Sequence, residues 1–329
     1  MPNNKCIKGT TFIELMMVMA CLSVVAVGTY QIVLQSQISN FSMNAWNSLT
    51  QWGQSATDEI NIDATQARIL LQNDALGQAY LAKLQSDTTY PALSTTTLAL
   101  IDSTGTLHHD TTTSRTGNAL LFVKESPPFI GNAGGSTRRA DIYTFVYYYL
   151  SPITCTIATK PKSLRLAKWT SIEFVDYNQV MSIPVVGSAR STFVSNLYAN
   201  RGIRYLWIPR NTVSTAFYSI DATGGIAGSA SAGYTIEKNE VHSVIQSLGT
   251  GIASVAWNTS AQFHTPDIVP KYANASTSGD GFPNGFEVQI IGPTSARQIM
   301  VRIVFAYYTS INQSLFSTEA FTMITTREY

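Results

Sequence analysis

The chain has 329 residues and a formal net charge of +1, from 21 Lys and Arg against 20 Asp and Glu. Only 12% of its residues are charged, roughly half of the ~25% usual in soluble domains, so solubility rests largely on the hydroxyls of its many Ser and Thr. Arg138-Arg139 is the one adjacent basic pair, and the basic stripe that phosphate binding requires is missing, which argues against nucleic acid as a partner.

The first 34 residues are the most informative. A short basic leader with Lys5 and Lys8 is followed by Gly9, Thr10 and Thr11, and then by an apolar run from Phe12 to about Leu34. About 20 residues at 1.5 Å each cross a hydrocarbon core of roughly 30 Å, so this run predicts a transmembrane helix over residues 12–34. Lysines precede it and no acid lies before Glu14, so the positive-inside tendency places the leader in the cytoplasm and everything beyond about residue 35 outside it. Glu14 breaks the apolar run. A carboxylate at that depth costs about 2.5 to 3.5 kcal/mol on insertion scales and marks a functional residue with a specific partner.

A glycine after a basic leader, a glutamate five residues later and an apolar helix directly behind it resemble the class III leader of type IV pilins and type II secretion pseudopilins. The resemblance implies that a prepilin peptidase cuts after Gly9 and methylates the new amino terminus at Thr10. Glu14 then becomes the fifth residue of the mature chain and faces the terminal amine of a neighbouring subunit during assembly. The family usually carries Phe or Met after the cut, where this chain has Thr10. Three other readings fit the segment less well. Val18-Met19-Ala20-Cys21 has the outline of a lipobox, but the chain stays apolar to Leu34, where a lipoprotein needs a polar tether. A cleaved secretory signal has an apolar region of about 7 to 15 residues, shorter than this one. A plain signal anchor leaves Gly9 and Glu14 unexplained.

No proline falls between Pro2 and Pro91, so the first helix is expected to continue past the membrane. Ile38, Phe41, Met43, Trp46, Leu49 and Trp52 keep an apolar face at helical spacing. The helix is expected to span residues 10–60 and to end between Gly53 and Asn61. Asp63 followed by Gln66 has the spacing of a capping box, and it predicts a second helix to about Leu84 with Ala67, Leu70, Leu71, Leu76, Tyr80 and Leu84 on its face. Residues 61–329 form the expected extracytoplasmic head.

From about residue 95 the pattern becomes that of strands. Thr96–Asp102, Ala119–Lys124, Ile142–Leu150, Ser171–Val175, Arg204–Ile208, Val213–Ile220, Phe286–Ile291, Ile299–Tyr308 and Phe321–Thr325 are rich in β-branched and aromatic residues between turn signals. Val288 and Ile290, then Val301, Ile303 and Phe305, alternate around Gly292-Pro293, which predicts a hairpin. The expected fold is therefore α+β: a long N-terminal transmembrane helix of pilin type, a second helix and a large antiparallel β-rich head. Cys6 leaves with the leader, Cys21 lies in the apolar helix and Cys155 stands alone in the head, so no disulfide is expected to staple that domain.

This order of elements, with a final strand reaching Thr325-Thr326-Arg327, resembles J-type minor pseudopilins and PilW-type minor pilins. The resemblance implies a subunit that initiates or caps a pilus or a type II secretion pseudopilus. Its implied partners are the prepilin peptidase, major and other minor subunits, the inner-membrane assembly platform and membrane lipid. The implied location is the inner membrane, single-pass, with the leader in the cytoplasm and the head in the periplasm until assembly. A membrane-anchored adhesin or receptor at a filament tip is the alternative.

Chemistry elsewhere is sparse, and no enzyme is expected. His108-His109-Asp110 offers metal-ligand types without a second cluster. Asp280, Asn284 and Glu287 bring oxygen ligands to a Gly-rich stretch as calcium would need, but without EF-hand spacing. The run from Gly224-Gly225 to Gly233 lacks the lysine of a phosphate loop and is expected to be a surface loop. His242 and His264 belong to no recognisable triad.

Overall fold

The computed structural model describes residues 11–94, 96–105, 115–153, 163–185, 188–209, 215–229, 233–244, 251–255, 285–309 and 315–328. The chain divides into two compact units, one ending at Ser48 and the other beginning at Leu49.

The first helix, α1, runs without a break from Phe12 to Thr65. It is long and apolar enough to cross a membrane, and the side chains of its apolar part are exposed. Hydroxyls within that part bond back to the helix itself. Ser23 Oγ donates to the Ala20 carbonyl at 2.8 Å and Thr29 Oγ1 to the Val25 carbonyl at 2.9 Å, which leaves these donors satisfied in a medium without water. In the second unit Leu49, Gly53, Ala56, Ile60 and Ala64 form the buried stripe of the helix at steps of three and four. Gly53 is needed there for close approach, since a Cβ would stand 3.3 Å from that of Ala320. The helix outlasts its expected end because Glu59, Ile60, Asp63 and Ala64 are all engaged by the sheet around them.

The predicted second helix is largely a strand. β1, Ala67–Leu71, pairs antiparallel with residues 121–124, and only Ala75–Leu81 is helical, as α2. Its N-cap is Asp74, whose carboxylate accepts from Gly77 N at 2.7 Å; the predicted cap, Asp63, lies inside α1. Ala67, Leu70 and Leu71 satisfy helical and extended spacing equally, and the sheet decides between them because β1 fills the position beside its neighbouring strand.

The remaining strands are β2 (Ile101–Asp102), β3 (Leu120–Ala133), β4 (Ser136–Ile153), β5 (Ser163–Ser171), β6 (Phe174–Asp176), β7 (Tyr205–Trp207), β8 (Phe217–Ile220), β9 (Ile226–Ser229), β10 (Lys238–Ser243), β11 (Gly251–Val255), β12 (Phe286–Ile291), β13 (Arg297–Thr309) and β14 (Leu315–Thr326). Helices α3 (Tyr177–Met181) and α4 (Ala189–Arg201) lie between β6 and β7. The strands join into one sheet, antiparallel throughout the described pairings except for the short pairs β2 with β12 and β6 with β7. The hairpin about Gly292-Pro293 is present as β12 and β13, with Val288 opposite Val301. Of the expected loop from Gly224 to Gly233, Gly224 and Gly225 belong to the tight turn of the β8–β9 hairpin, held by Asp221 Oδ1 accepting from Thr223 N and Gly225 N, and Ile226–Ser229 is strand β9. At its far end the sheet bends back on its start. Thr326 Oγ1 donates to the Ala67 carbonyl, and Leu70 N donates to Glu328 Oε1, both at 2.9 Å.

Alternation along β4 separates two cores. Val146, Tyr148 and Leu150 face α1 together with Phe122, Leu166, Val301 and Ile303, while Phe145, Tyr147 and Tyr149 face α2 with Leu121, Trp169 and Trp207. A third core forms where the extended β3–β4 hairpin carries α3 and α4, through Phe129, Ile142, Phe193 and Leu197.

Candidate functional site

Two features carry unusual chemistry, one in each compact unit. The first is the start of α1. Gly9 and Thr10 lie outside the described residues; Glu14 stands in the first turn of α1, exposed among Phe12, Ile13, Leu15, Met16 and Met17. Its Oε2 accepts from Thr11 N at 2.9 Å. Thr11-Phe12-Ile13-Glu14 is thus one half of a capping box, in which the third helical residue reaches back to the backbone N–H before the helix. The Thr-x-x-Glu spacing was legible in the sequence, yet Glu14 drew notice there as a charge in an apolar run and as the glutamate of the leader motif, not as a cap. Oε1 makes no hydrogen bond among the described residues. A carboxylate held at the positive end of a helix, with one oxygen committed to the cap and one open, is arranged to receive a cation.

The second feature is a network of ion pairs and hydrogen bonds that fastens the last turns of α1 to four strands. Glu59 and Asp63, one helical turn apart, point the same way. Lys124 Nζ from β3 reaches Asp63 Oδ1 at 2.7 Å, and Lys168 Nζ from β5 reaches Asp63 Oδ2 at 2.7 Å and Glu59 Oε1 at 2.8 Å. Tyr148 of β4 donates its hydroxyl to Asp63 Oδ2 at 2.7 Å, and His242 Nε2 of β10 lies 3.1 Å from Glu59 Oε1. Asp63 is only 3% exposed. No sequence rule joins residues 59, 63, 124, 148, 168 and 242, because each strand supplies a single member.

Burial pulls the Asp63 and Glu59 carboxyls upward, but the hydrogen bonds from Lys124, Lys168 and Tyr148 at one, and from Lys168 and His242 at the other, outweigh it and hold both below their usual values of 3.8 and 4.5. Lys168 is held above 10.5, with the pull of both carboxylates overcoming burial. Burial and the nearby carboxylates drive the Tyr148 hydroxyl strongly upward, so it remains a donor. Depressed carboxyl values contribute stability that is full above the unfolded value and lost as pH falls through the folded one; the raised lysine contributes stability lost only as pH rises through its folded value. Stability is therefore expected to hold level from about pH 5 to pH 9 and to fall below about pH 4. Urea unfolding between pH 3 and pH 7 checks this, and Asp63→Asn should flatten the acid slope.

The other sequence candidates lie elsewhere. His108, His109, Asp110, Cys155, His264, Asp280 and Asn284 are outside the described residues. Glu287 is buried on β12, where it accepts from Arg302 Nη1 at 3.0 Å, and Arg302 also pairs with Glu319 at 2.8 Å. That commitment takes Glu287 out of the expected set of calcium ligands. Among the described residues no three His, Cys, Asp or Glu side chains gather as a metal would require. Cys21 is exposed on α1.

No family model, no curated protein and no solved structure matches the chain.

Proposed function

We propose that the chain is a minor pilin or pseudopilin, a structural subunit that initiates or caps a type IV filament. The observation that carries this reading is Glu14, a carboxylate in the first turn of an uninterrupted 54-residue helix, five residues after Gly9 and with Oε1 open. In this reading a prepilin peptidase releases residues 1–9, and Thr10 becomes the methylated amino terminus. The ammonium of one subunit then meets the Glu14 carboxylate of another. Pairing removes the cost that a lone carboxylate incurs in lipid, and that cost makes docking at the correct depth favourable. Within the second unit, the ion pairs at Glu59 and Asp63 fix the last turns of α1 to the sheet. The subunit sits in the inner membrane with the second unit in the periplasm before assembly. Processing of the leader tests the reading, since a chain that keeps residues 1–9 in the presence of a prepilin peptidase cannot enter such a filament.

A further inference from the structure

We infer that the second unit contains a binding site for a small uncharged molecule with a flat apolar body and a hydrogen-bond acceptor at its inner end. The site is a cavity of about 440 Å³ on the face of the sheet turned toward α2, walled by residues between Leu81 and Ser94 and by Thr96. This volume lies within the roughly 300 to 1,000 Å³ of small-molecule sites. Three side chains make its floor. Tyr147 and Tyr149 are two apart on β4 and stack at 4.5 Å with planes 12° apart, and Trp169 on β5 stands directly opposite Tyr147. Leu84, Pro91 and Leu93 supply apolar wall.

Charge and hydrogen bonding define the ligand class. Asp87 is the one acid lining the cavity, and it is already neutralised by Lys238 while accepting from Thr89 N at 2.8 Å and Tyr90 N at 2.7 Å. Among the described lining residues none is basic. A charged ligand would find no uncommitted counter-charge among the described lining residues, which favours a neutral one.

The polar signal is Trp169. Trp169 is 1% exposed, and its indole N–H is buried without a hydrogen-bond partner among the described residues. Buried donors are nearly always paired, and an orphan costs roughly 1 to 3 kcal/mol. An acceptor that reached this donor would supply the bond it lacks. The nitrogen is closed to solvent, so a ligand reaches it through a side-chain shift, a change common on binding. At the mouth, the exposed hydroxyls of Ser86 and Ser94 are placed to meet a polar outer end.

The test uses the full chain in lipid nanodiscs, with empty discs as the reference for partition into lipid. Saturation-transfer NMR compares acetophenone, a flat ring with a carbonyl acceptor, with ethylbenzene, which has nearly the same shape and none. Acetophenone should bind saturably and about tenfold more tightly than ethylbenzene, as one hydrogen bond to an unpaired donor allows. Trp169→Phe should remove that difference. Ala92→Trp, at an exposed position lining the cavity, should abolish binding of both probes while leaving the thermal unfolding of the chain unchanged. Signals no greater than in empty discs, equal affinities for the two probes in the unaltered chain, or binding unchanged in Ala92→Trp would each overturn the inference.

Discussion

Replacing Asp63 by alanine should destabilise the second unit by about 3 to 5 kcal/mol and lower its melting temperature by roughly 10 °C. The size follows from what is left behind. Asp63 satisfies Lys124, Lys168 and Tyr148 simultaneously, and all three approach a site almost closed to water. Removing the carboxylate takes the partner from the half-buried Lys124 and from the Tyr148 hydroxyl and leaves Lys168 with Glu59 alone, and a charge left so costs more than the net worth of the pair it once belonged to. Asp63→Asn keeps the shape and the acceptor but not the charge, so it should lie between the alanine variant and the unaltered chain. Exposed pairs behave differently. Arg139, 60% exposed in its pair with Asp141, should cost less than about 1 kcal/mol on truncation to alanine. Thermal unfolding of these variants side by side gives the ranking, and a loss below about 1 kcal/mol for Asp63→Ala would show that the network does not anchor the helix.

Glu14→Ala should reduce incorporation into filaments at least tenfold while leaving membrane insertion intact. Removing a carboxylate from an apolar helix favours insertion by about 2.5 to 3.5 kcal/mol. The lost cap costs only about 1 kcal/mol, too little to undo a helix of 54 residues. Glu14→Gln separates the two duties of this residue. Glutamine serves at the same position of a capping box, so it should keep the bond to Thr11 N, but it carries no charge for a neighbouring ammonium. If ion pairing drives assembly, glutamine fails as alanine does. If glutamine assembles normally, the carboxylate acts as a cap alone and the ion-pair role is wrong. Quantifying the chain in sheared filaments and in membrane fractions from the same cells supplies both readouts.

How much of this was legible in the sequence depended on what each segment buries. The hairpin of β12 and β13 could be read because Val288, Ile290, Val301 and Ile303 alternate cleanly around Gly292-Pro293, and one face of each strand meets α1's core. β5 escaped notice because Lys168 and Thr170 occupy the same strand face as Leu164 and Leu166. A lysine on an apolar face looks like solvent exposure until Glu59 and Asp63, more than a hundred residues earlier, are brought against it. The helix α4 was missed although its signals were present. Phe193, Val194 and Leu197 share its buried face, Arg201 lies in its last turn, and Gly202 ends it in the left-handed region at φ 67°. β1 was mistaken for helix because five residues are too few for a period to declare itself. The start of α1 was the clearest stretch of all, since length and hydropathy alone define it. Even there the Thr11–Glu14 cap passed unread beside the more conspicuous charge.

The most direct measurement of the central claim is the intact mass of the membrane-extracted chain after coexpression with a prepilin peptidase. The filament reading predicts a mass matching residues 10–329, with or without one added methyl group, and conversion to the full-length mass when Gly9 is replaced by valine. A chain that retains residues 1–9, or that is cut at a different bond, would contradict it.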